Sequence, residues 1–70
     1  AGGTCCTVLN AANEEAVELF RREMIPFGEI PELAAGALEK IPNISRPSLE
    51  EILDADRRGR EFVRENIPFH

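Results

Sequence analysis

The chain has 70 residues and a formal net charge of -5, with 13 acidic and eight basic side chains. This length allows one small domain, and the acidic balance argues against a nucleic-acid partner and against binding to an anionic membrane surface. No apolar run approaches the roughly 20 residues of a membrane-spanning helix, and the N-terminus, which starts at Ala1, lacks the basic and apolar regions of a signal peptide.

The first predicted helix runs from about Thr7 to Glu23. On a wheel of about 3.6 residues per turn, its apolar side chains form one stripe and its charged side chains lie opposite, as in a helix with one buried face. The predicted stripe consists of Val8, Leu9, Ala12, Ala16, Leu19 and Phe20. Pro26 is expected to end the helix, because the residue before a proline is displaced from the helical region.

The second predicted helix runs from Glu29 to about Ile41, and Gly28 can cap its start. Its apolar side chains again share one face, which consists of Ile30, Leu33, Ala34, Ala37, Leu38 and Ile41. The segment from Pro42 to Pro47 is rich in proline and polar residues and is predicted to be a loop.

The third predicted helix runs from Leu49 to about Asn66 and ends before Pro68. It has the clearest start, because Ser48 followed three residues later by Glu51 is the pattern of a capping box. Its predicted apolar stripe consists of Leu49, Ile52, Leu53, Ala55, Gly59, Phe62, Val63 and Ile67.

No segment shows the alternating pattern of a strand. The predicted fold is therefore all-α, a small bundle of three main helices. Cys5 and Cys6 are neighbours and cannot join distant segments, so both are expected to be reduced thiols. Residues 20–27 resemble residues 62–69, and we interpret both as a helix end followed by a hydrophobic anchor, while shared ancestry of the two segments stays open.

Two asparagines of the first helix are unusual, because Asn10 and Asn13 are poor helix formers near its apolar stripe. We expect both to be partly buried, with their amides bonded to the backbone of a neighbouring loop. The alternative is contact with a ligand.

A second unusual pair is Asp56 and Arg60, which fall within the predicted apolar stripe of the third helix. Their spacing of four residues lets them face each other. We expect a buried ion pair that also ties the third helix to the end of another helix, so that Asp56→Ala would cost roughly 3–5 kcal/mol. The alternative is an ordinary ion pair on the surface.

Groups for catalysis are scarce. His70, the only histidine, is the last residue, so the usual pairing of histidine with a nucleophile is not expected. The acids of the third helix (Glu50, Glu51, Asp54 and Asp56) spread around it and predict a solvated face rather than a metal site. The glycines of the first four residues lack the spacing of a phosphate loop and predict a flexible lead-in.

Three blocks of residues nevertheless carry a family resemblance. They are Leu9-Asn10-Ala11-Ala12-Asn13-Glu14 after Ala1-Gly2-Gly3-Thr4, then Ile25-Pro26-Phe27 with Ile30 and Leu33, then Ser48-Leu49-Glu50-Glu51-Ile52-Leu53 with Ala55, Asp56 and Arg60. With these blocks, residues 1–70 resemble the C-terminal helical domain of the 1-deoxy-D-xylulose 5-phosphate reductoisomerase family. Cys5-Cys6 and Arg58-Gly59 depart from the family pattern, which puts the local packing in doubt.

The resemblance implies a parent oxidoreductase of the methylerythritol phosphate route to isoprenoids, located in the bacterial cytoplasm or in a plastid. The family enzymes are homodimers that use NADPH and a divalent metal, Mg or Mn, through domains that precede this region. No catalytic, cofactor-binding or metal-binding residue is therefore carried over to this chain. Asn10, Asn13, Asp56 and Arg60 are carried over only as matching structural positions.

The family domain also has a helix before the lead-in that this chain lacks. Its absence implies uncovered apolar surface, and we expect the 70-residue chain to self-associate. The leading interpretation is a non-catalytic domain that braces the upstream catalytic domain. The alternative is a free-standing helical adaptor that binds a protein through an apolar groove, while a nucleic-acid contact through the arginines of the third helix is disfavoured by the net charge.

Overall fold

A computed structural model describes residues 3–67 of the protein. It contains three helices: α1 spans Cys5–Arg21, α2 spans Glu29–Lys40 and α3 spans Leu49–Glu65. Residues 3–67 contain no strand. The prediction of an all-α bundle is confirmed, and each predicted helix limit lies within two residues of the observed one. The predicted roles of Ala1, Gly2, Pro68 and His70 fall outside the described residues.

Local chemistry explains where the helices begin and end. Ser48 Oγ accepts a hydrogen bond from the Glu51 N–H, and the Glu51 carboxylate accepts one from the Ser48 N–H, so the predicted capping box is confirmed. At the end of α1, the Met24 N–H bonds to the Leu19 carbonyl while Glu23 takes a φ of 61°. This is a Schellman-type ending, and it stops α1 before Pro26 is reached.

The core lies where α1 packs against both other helices. Five buried apolar residues come from α1, three of them alanines, and the buried apolar residues include Val8, Ala11, Ala12, Ala16, Leu19, Ile30, Leu33, Ala37, Ala55 and Val63. A Cβ built on Gly59 of α3 would lie 3.0 Å from the Val8 carbonyl oxygen and 3.2 Å from Ala11 Cβ. Gly59 therefore permits the close approach of α3 to α1.

Parts of all three predicted apolar stripes are wrong, and on α2 the error is Leu38, which is exposed. In α1, Leu9 and Phe20 are exposed, and Ala11 is buried instead. In α3, Leu49, Ile52 and Leu53 are exposed, although they belong to the predicted stripe. The reason is the placement of the helices: Gly59, ten residues into α3, already lies opposite the first turns of α1, so the start of α3 extends beyond the body of α1.

The prediction of a flexible lead-in is also wrong for Gly3 and Thr4. Thr4 is fully buried, its N–H donates to the Ile44 carbonyl at 3.1 Å, and its Oγ1 accepts from the Ile44 N–H at 2.9 Å. The Asn43 Oδ1 accepts a hydrogen bond from the Cys5 N–H at 2.8 Å. The start of α1 is thus fixed to the loop between α2 and α3, 38 to 40 residues away.

Two further features concern the surface. Cys5 and Cys6 are not joined by a disulfide, and Cys6 is exposed. Across residues 3–67, none of the helices combines the length and the apolar character that crossing a membrane would require.

Candidate functional site

Two of the four side chains that the sequence singled out, Asp56 and Arg60, lie on one side of the contact between α1 and α3. Arg60 lies at the centre of this Arg60 cluster, which also contains Asp56, Arg64, Glu14 and Glu15. Arg60 Nε donates to Asp56 Oδ1 at 2.8 Å within α3, and Arg60 Nη2 donates to Glu14 Oε1 at 2.8 Å across to α1. One guanidinium therefore joins the two helices.

A second cross-helix contact supports the first. Arg64 Nε donates to Glu15 Oε2 at 2.9 Å, while the other Glu15 oxygen lies 3.7 Å from Arg60 Nη1. Because Arg60 and Arg64 are one helical turn apart, both point to the same face of α1. The close approach permitted by Gly59, directly before Arg60, brings these carboxylates within reach.

The electrostatics of the cluster favour charged arginines. The hydrogen bond to Asp56, followed by the one to Glu14, raises the pKa of Arg60 above its ordinary value. The bond to Glu15 raises the pKa of Arg64 in the same way. Arg60 and Arg64 therefore both stay positively charged at neutral pH.

The observed pair of Asp56 and Arg60 differs from the expected one in two respects. The two side chains retain 43% and 32% of their exposure, so the pair is half exposed rather than buried. Arg60 reaches Glu14 in the body of α1 and not the end of a helix. The expected cost of 3–5 kcal/mol for Asp56→Ala is therefore too large, since solvent screens half-exposed pairs, and about 1 kcal/mol is appropriate.

Asn10 and Asn13 are both exposed on α1, so the expectation of partial burial is wrong. The physical reason is the position of the buried face, which extends from Ala11 to Ala16 around the helix, leaves Asn10 on the opposite side and leaves Asn13 just beyond its edge. Asn13 borders a shallow polar groove shared with Arg60, Glu18 and Arg21. The structure thus places Asn13 next to the Arg60 cluster and Asn10 away from the core.

Three of the four acids predicted to form a solvated face of α3 (Glu51, Asp54 and Asp56) have partners within the helix. The Asp54 carboxylate lies against Arg57 and within 3.9 Å of Arg58 Nη1, and Glu51 belongs to the capping box. In the part of the chain that is described, no three His, Cys, Asp or Glu side chains are placed to share a metal ion. The described residues, 3–67, do not fit the metal centre that the family resemblance implies for the parent enzyme.

Sequence reasoning missed the role of Asn43 and Thr4. Asn43 follows Pro42 in a loop and carries the type of side chain that caps helices. Its target, the N–H of Cys5, is 38 residues away. No local pattern connects the two residues, because the contact depends on how the loop lies against α1.

Comparisons with known proteins place this chain in a family. Residues 1–62 match the family described as DXP reductoisomerase C-terminal domain. The chain is 47% identical over 66 residues to the 1-deoxy-D-xylulose 5-phosphate reductoisomerase of Aromatoleum aromaticum, a match that covers 94% of this chain and 16% of that protein.

Two further relatives with the same name support the assignment. The Pelotomaculum thermopropionicum enzyme is 52% identical over 62 residues, with 89% of this chain and 16% of that protein covered. The Halalkalibacterium halodurans enzyme is 50% identical over 66 residues, with 94% and 17% covered. The chain therefore spans about one sixth of the length of the curated relatives it matches. By these matches, the chain belongs to the family of DXP reductoisomerase C-terminal domains.

Proposed function

We propose that this chain is the non-catalytic C-terminal domain of a 1-deoxy-D-xylulose 5-phosphate reductoisomerase and that it braces the catalytic part of that enzyme. The observation that carries the proposal is the match of residues 1–62 to a domain described as C-terminal, in relatives about six times longer than the match. In this proposal, the protein acts in isoprenoid biosynthesis through the methylerythritol phosphate pathway, in the bacterial cytoplasm or in a plastid.

The structure suggests how a bracing role would be performed. The Arg60 cluster joins α1 to α3, and the bonds of Thr4 and Asn43 fix the start of α1 to the loop after α2. Both sets of contacts link segments that are far apart in the sequence. In this proposal, such links hold the helices of the domain in one arrangement, which a supporting element needs.

NADPH and a divalent metal, Mg or Mn, belong in this proposal to the part of the parent enzyme that precedes the matched region. Asp54 and Asp56 of α3 have arginine partners, and Glu51 belongs to the capping box. We assign no described residue of this chain to the binding of either group, and the chemistry of the parent, an NADPH-dependent reduction coupled to an isomerisation, is left to those upstream residues.

We further propose that the 70-residue chain self-associates when isolated, and that the parent enzyme is a homodimer. The exposed aliphatic patch formed by Leu49, Ile52 and Leu53 supports self-association, since Leu49 and Leu53 retain 71% and 62% of their exposure. Sedimentation at high protein concentration tests this, and a monomer would contradict it. Leu53→Glu should lower association without unfolding the chain, because its side chain contributes little to the core.

A chimera tests the proposed function. The chain replaces the matching C-terminal segment of the Halalkalibacterium halodurans enzyme, and NADPH oxidation is measured with 1-deoxy-D-xylulose 5-phosphate and Mg²⁺ or Mn²⁺. We expect the chimera to be active, the truncated enzyme without this segment to lose activity or stability, and the 70-residue chain alone to give no turnover. Turnover by the chain alone, or a truncated enzyme as active and stable as the full one, would overturn the proposal.

A further inference from the structure

The solvent-facing side of α1 carries a continuous band without charge. On a wheel of about 100° per residue, this uncharged stripe spans a sector roughly 100° wide and some 20 Å long. Its exposed members are Cys6, Leu9, Asn10, Asn13 and Phe20. Half-buried Val17 lies in the same sector. Glu14 and Arg21 flank the stripe on one side only.

The stripe ends in a pair of aromatic rings. Phe20 and Phe27 stack edge to face with centroids 5.4 Å apart, and Phe27 retains 68% of its exposure. Exposed phenyl rings next to one another are typical anchors of protein interfaces. The stripe therefore offers amides in the middle and an aromatic anchor at one end.

This composition differs from that of the exposed surface of α3, where charged side chains are interspersed with the aliphatic patch of Leu49, Ile52 and Leu53. The exposed side of α3 carries Glu50, Arg57, Arg58, Arg64 and Glu65, and 30% of all residues in the chain are charged. The cores of protein interfaces are depleted in charge relative to ordinary surface. The stripe thus has the composition of a surface that is covered in the working protein.

Asn10 and Asn13 are the members of the stripe that the helix itself does not favour. Asn10 and Asn13 are weak helix formers in the middle of a helix, and neither amide makes a hydrogen bond to another side chain or backbone group within residues 3–67. The two asparagines therefore lower the helix propensity of α1, and no hydrogen bond within residues 3–67 offsets this cost. Residues of this kind are expected at sites of contact with something else, where each amide can both donate and accept.

We propose that the uncharged stripe of α1 is the surface on which the preceding part of the same reductoisomerase polypeptide docks. This inference rests on the proposed function, since the occupant is the remainder of the parent chain. Two observations identify that occupant. About five sixths of each matched relative lies outside the matched region, and the matched family is described as a C-terminal domain, so a large body of chain precedes it.

The size of the stripe favours this occupant over a second copy. A band of this length and width offers on the order of 200–300 Å² of protein surface, whereas a stable interface between separate chains takes about 800 Å² from each partner. Chain segments joined covalently meet at a high effective concentration and need less contact area. The docked segment should present apolar side chains to the phenyl rings and backbone polar groups to the two amides.

Cys6 reports directly on the stripe, since its thiol is exposed there. In a Cys5→Ala background, we measure the rate of maleimide labelling of Cys6 in the 70-residue chain at low micromolar concentration and in the full-length chimera. The matched control is a Cys5→Ala/Cys6→Ala/Glu39→Cys variant, because Glu39 is exposed on α2, away from the stripe. Two variants of the Halalkalibacterium enzyme are also made, one with a cysteine at the position aligned with Cys6 and one with a cysteine at the position aligned with Glu39. They keep the proposal testable if the chimera does not fold.

We expect Cys6 to react at least about tenfold more slowly in the full-length proteins, because a covered thiol reacts only through local opening, while Glu39→Cys reacts at the same rate in all. Equal rates for Cys6 in an active full-length protein would overturn the docking surface and leave the proposed function intact. Labelling of Cys6 that slows with the concentration of the 70-residue chain alone would assign the stripe to a second copy and also overturn the proposal. If the chimera is inactive while Cys6 of the Halalkalibacterium variant is labelled slowly, the result would support the docking surface. It would count against the proposed function of this chain.

Discussion

The carboxamide oxygen of Asn43 accepts a hydrogen bond from the backbone N–H of Cys5 at 2.8 Å, across 38 residues of sequence. The first helix has no cap of its own, since the Thr4 side chain makes no capping bond and no acidic residue lies in the first turn. Asn43 supplies the missing acceptor from a different part of the chain. The start of α1 and the loop after α2 therefore depend on each other.

We expect Asn43→Ala to lower the free energy of unfolding by about 1–2 kcal/mol, the usual effect of losing a capping side chain. Asn43→Asp is the control, because it keeps an acceptor and adds a negative charge that is favourable at a helix start. Urea unfolding followed by circular dichroism measures both. An Asn43→Ala chain as stable as the natural one would show that the bond contributes nothing.

Gly3 is adjacent to the same contact and should not tolerate a side chain. Its φ is +83°, and an added Cβ would lie 2.5 Å from Asn43 Oδ1 and 2.7 Å from the Ile44 carbonyl oxygen. We expect Gly3→Ala to cost about 1–3 kcal/mol, from backbone strain and from displacement of the loop. Gly28→Ala is the matched control, since its Cβ would meet nothing within 4 Å. Similar melting temperatures for the two variants would argue against this account.

Two glycines inside helices give a second matched comparison. A Cβ on Gly59 would press on the Val8 carbonyl oxygen, which belongs to a rigid helix, whereas a Cβ on Gly36 would meet only the ring of Phe62, which can turn aside. Both substitutions to alanine gain the same helix propensity. We therefore expect Gly59→Ala to be about 1–3 kcal/mol less stable than Gly36→Ala because of overpacking. Thermal unfolding of the pair measures the difference, and a reversed order would contradict the close contact between α1 and α3.

The comparison of sequence and structure shows which features are local. The three helices follow from amphipathic spacing, and the capping box at Ser48 and the bond between Asp56 and Arg60 follow from offsets of three and four residues. These relationships need no knowledge of the tertiary structure, so the sequence was sufficient to predict them.

Features that depend on how the helices are placed could not be predicted in the same way. The exposure of Leu49 follows from the shift of α3 along α1, and the exposure of Asn13 follows from the two-sided packing of α1. The partner of Arg60 on α1, Glu14, is 46 residues away. A helical wheel gives the width of an apolar face but not which helix covers it, and this limit accounts for the errors in the predicted stripes.

The half-exposed pair of Asp56 and Arg60 leads to a prediction about salt. We expect Asp56→Ala to cost about 1 kcal/mol in dilute buffer, and the difference from the natural chain should shrink in about 1 M NaCl, where screening acts over roughly 3 Å. Measuring both chains by urea unfolding at low and high salt tests this. A cost of several kcal/mol that salt does not change would restore the picture of a buried pair.

The pH dependence of the same contact has a defined sign. The bond to Asp56 raises the pKa of Arg60 in the folded chain, so its stabilising effect is complete below the ordinary pKa of arginine and is lost only as the pH rises through the raised value. Between about pH 7 and pH 10, Arg60 is charged in both states. We therefore expect the difference between Arg60→Met and the natural chain to be constant over this range. A difference that changes steadily with pH in this window would point to another titrating group.

The asparagines of the uncharged stripe allow folding and docking to be separated. Asn13→Lys replaces a weak helix former by a better one at an exposed position, so the 70-residue chain should be as stable as before or slightly more stable. In the full-length chimera the same substitution places a charge inside the proposed contact, where an unpaired charge is unfavourable.

We therefore expect Asn13→Lys to lower the melting temperature of the chimera while leaving that of the isolated chain unchanged or higher. Ala35→Lys is the matched control, since it introduces the same charge at an exposed position of α2 and should affect neither protein. Differential scanning calorimetry of all six proteins, each variant and the natural sequence in both contexts, gives the comparison. If Asn13→Lys and Ala35→Lys behave alike in the chimera, Asn13 does not lie in a contact, because only a covered position makes the effect of a new charge depend on the rest of the polypeptide.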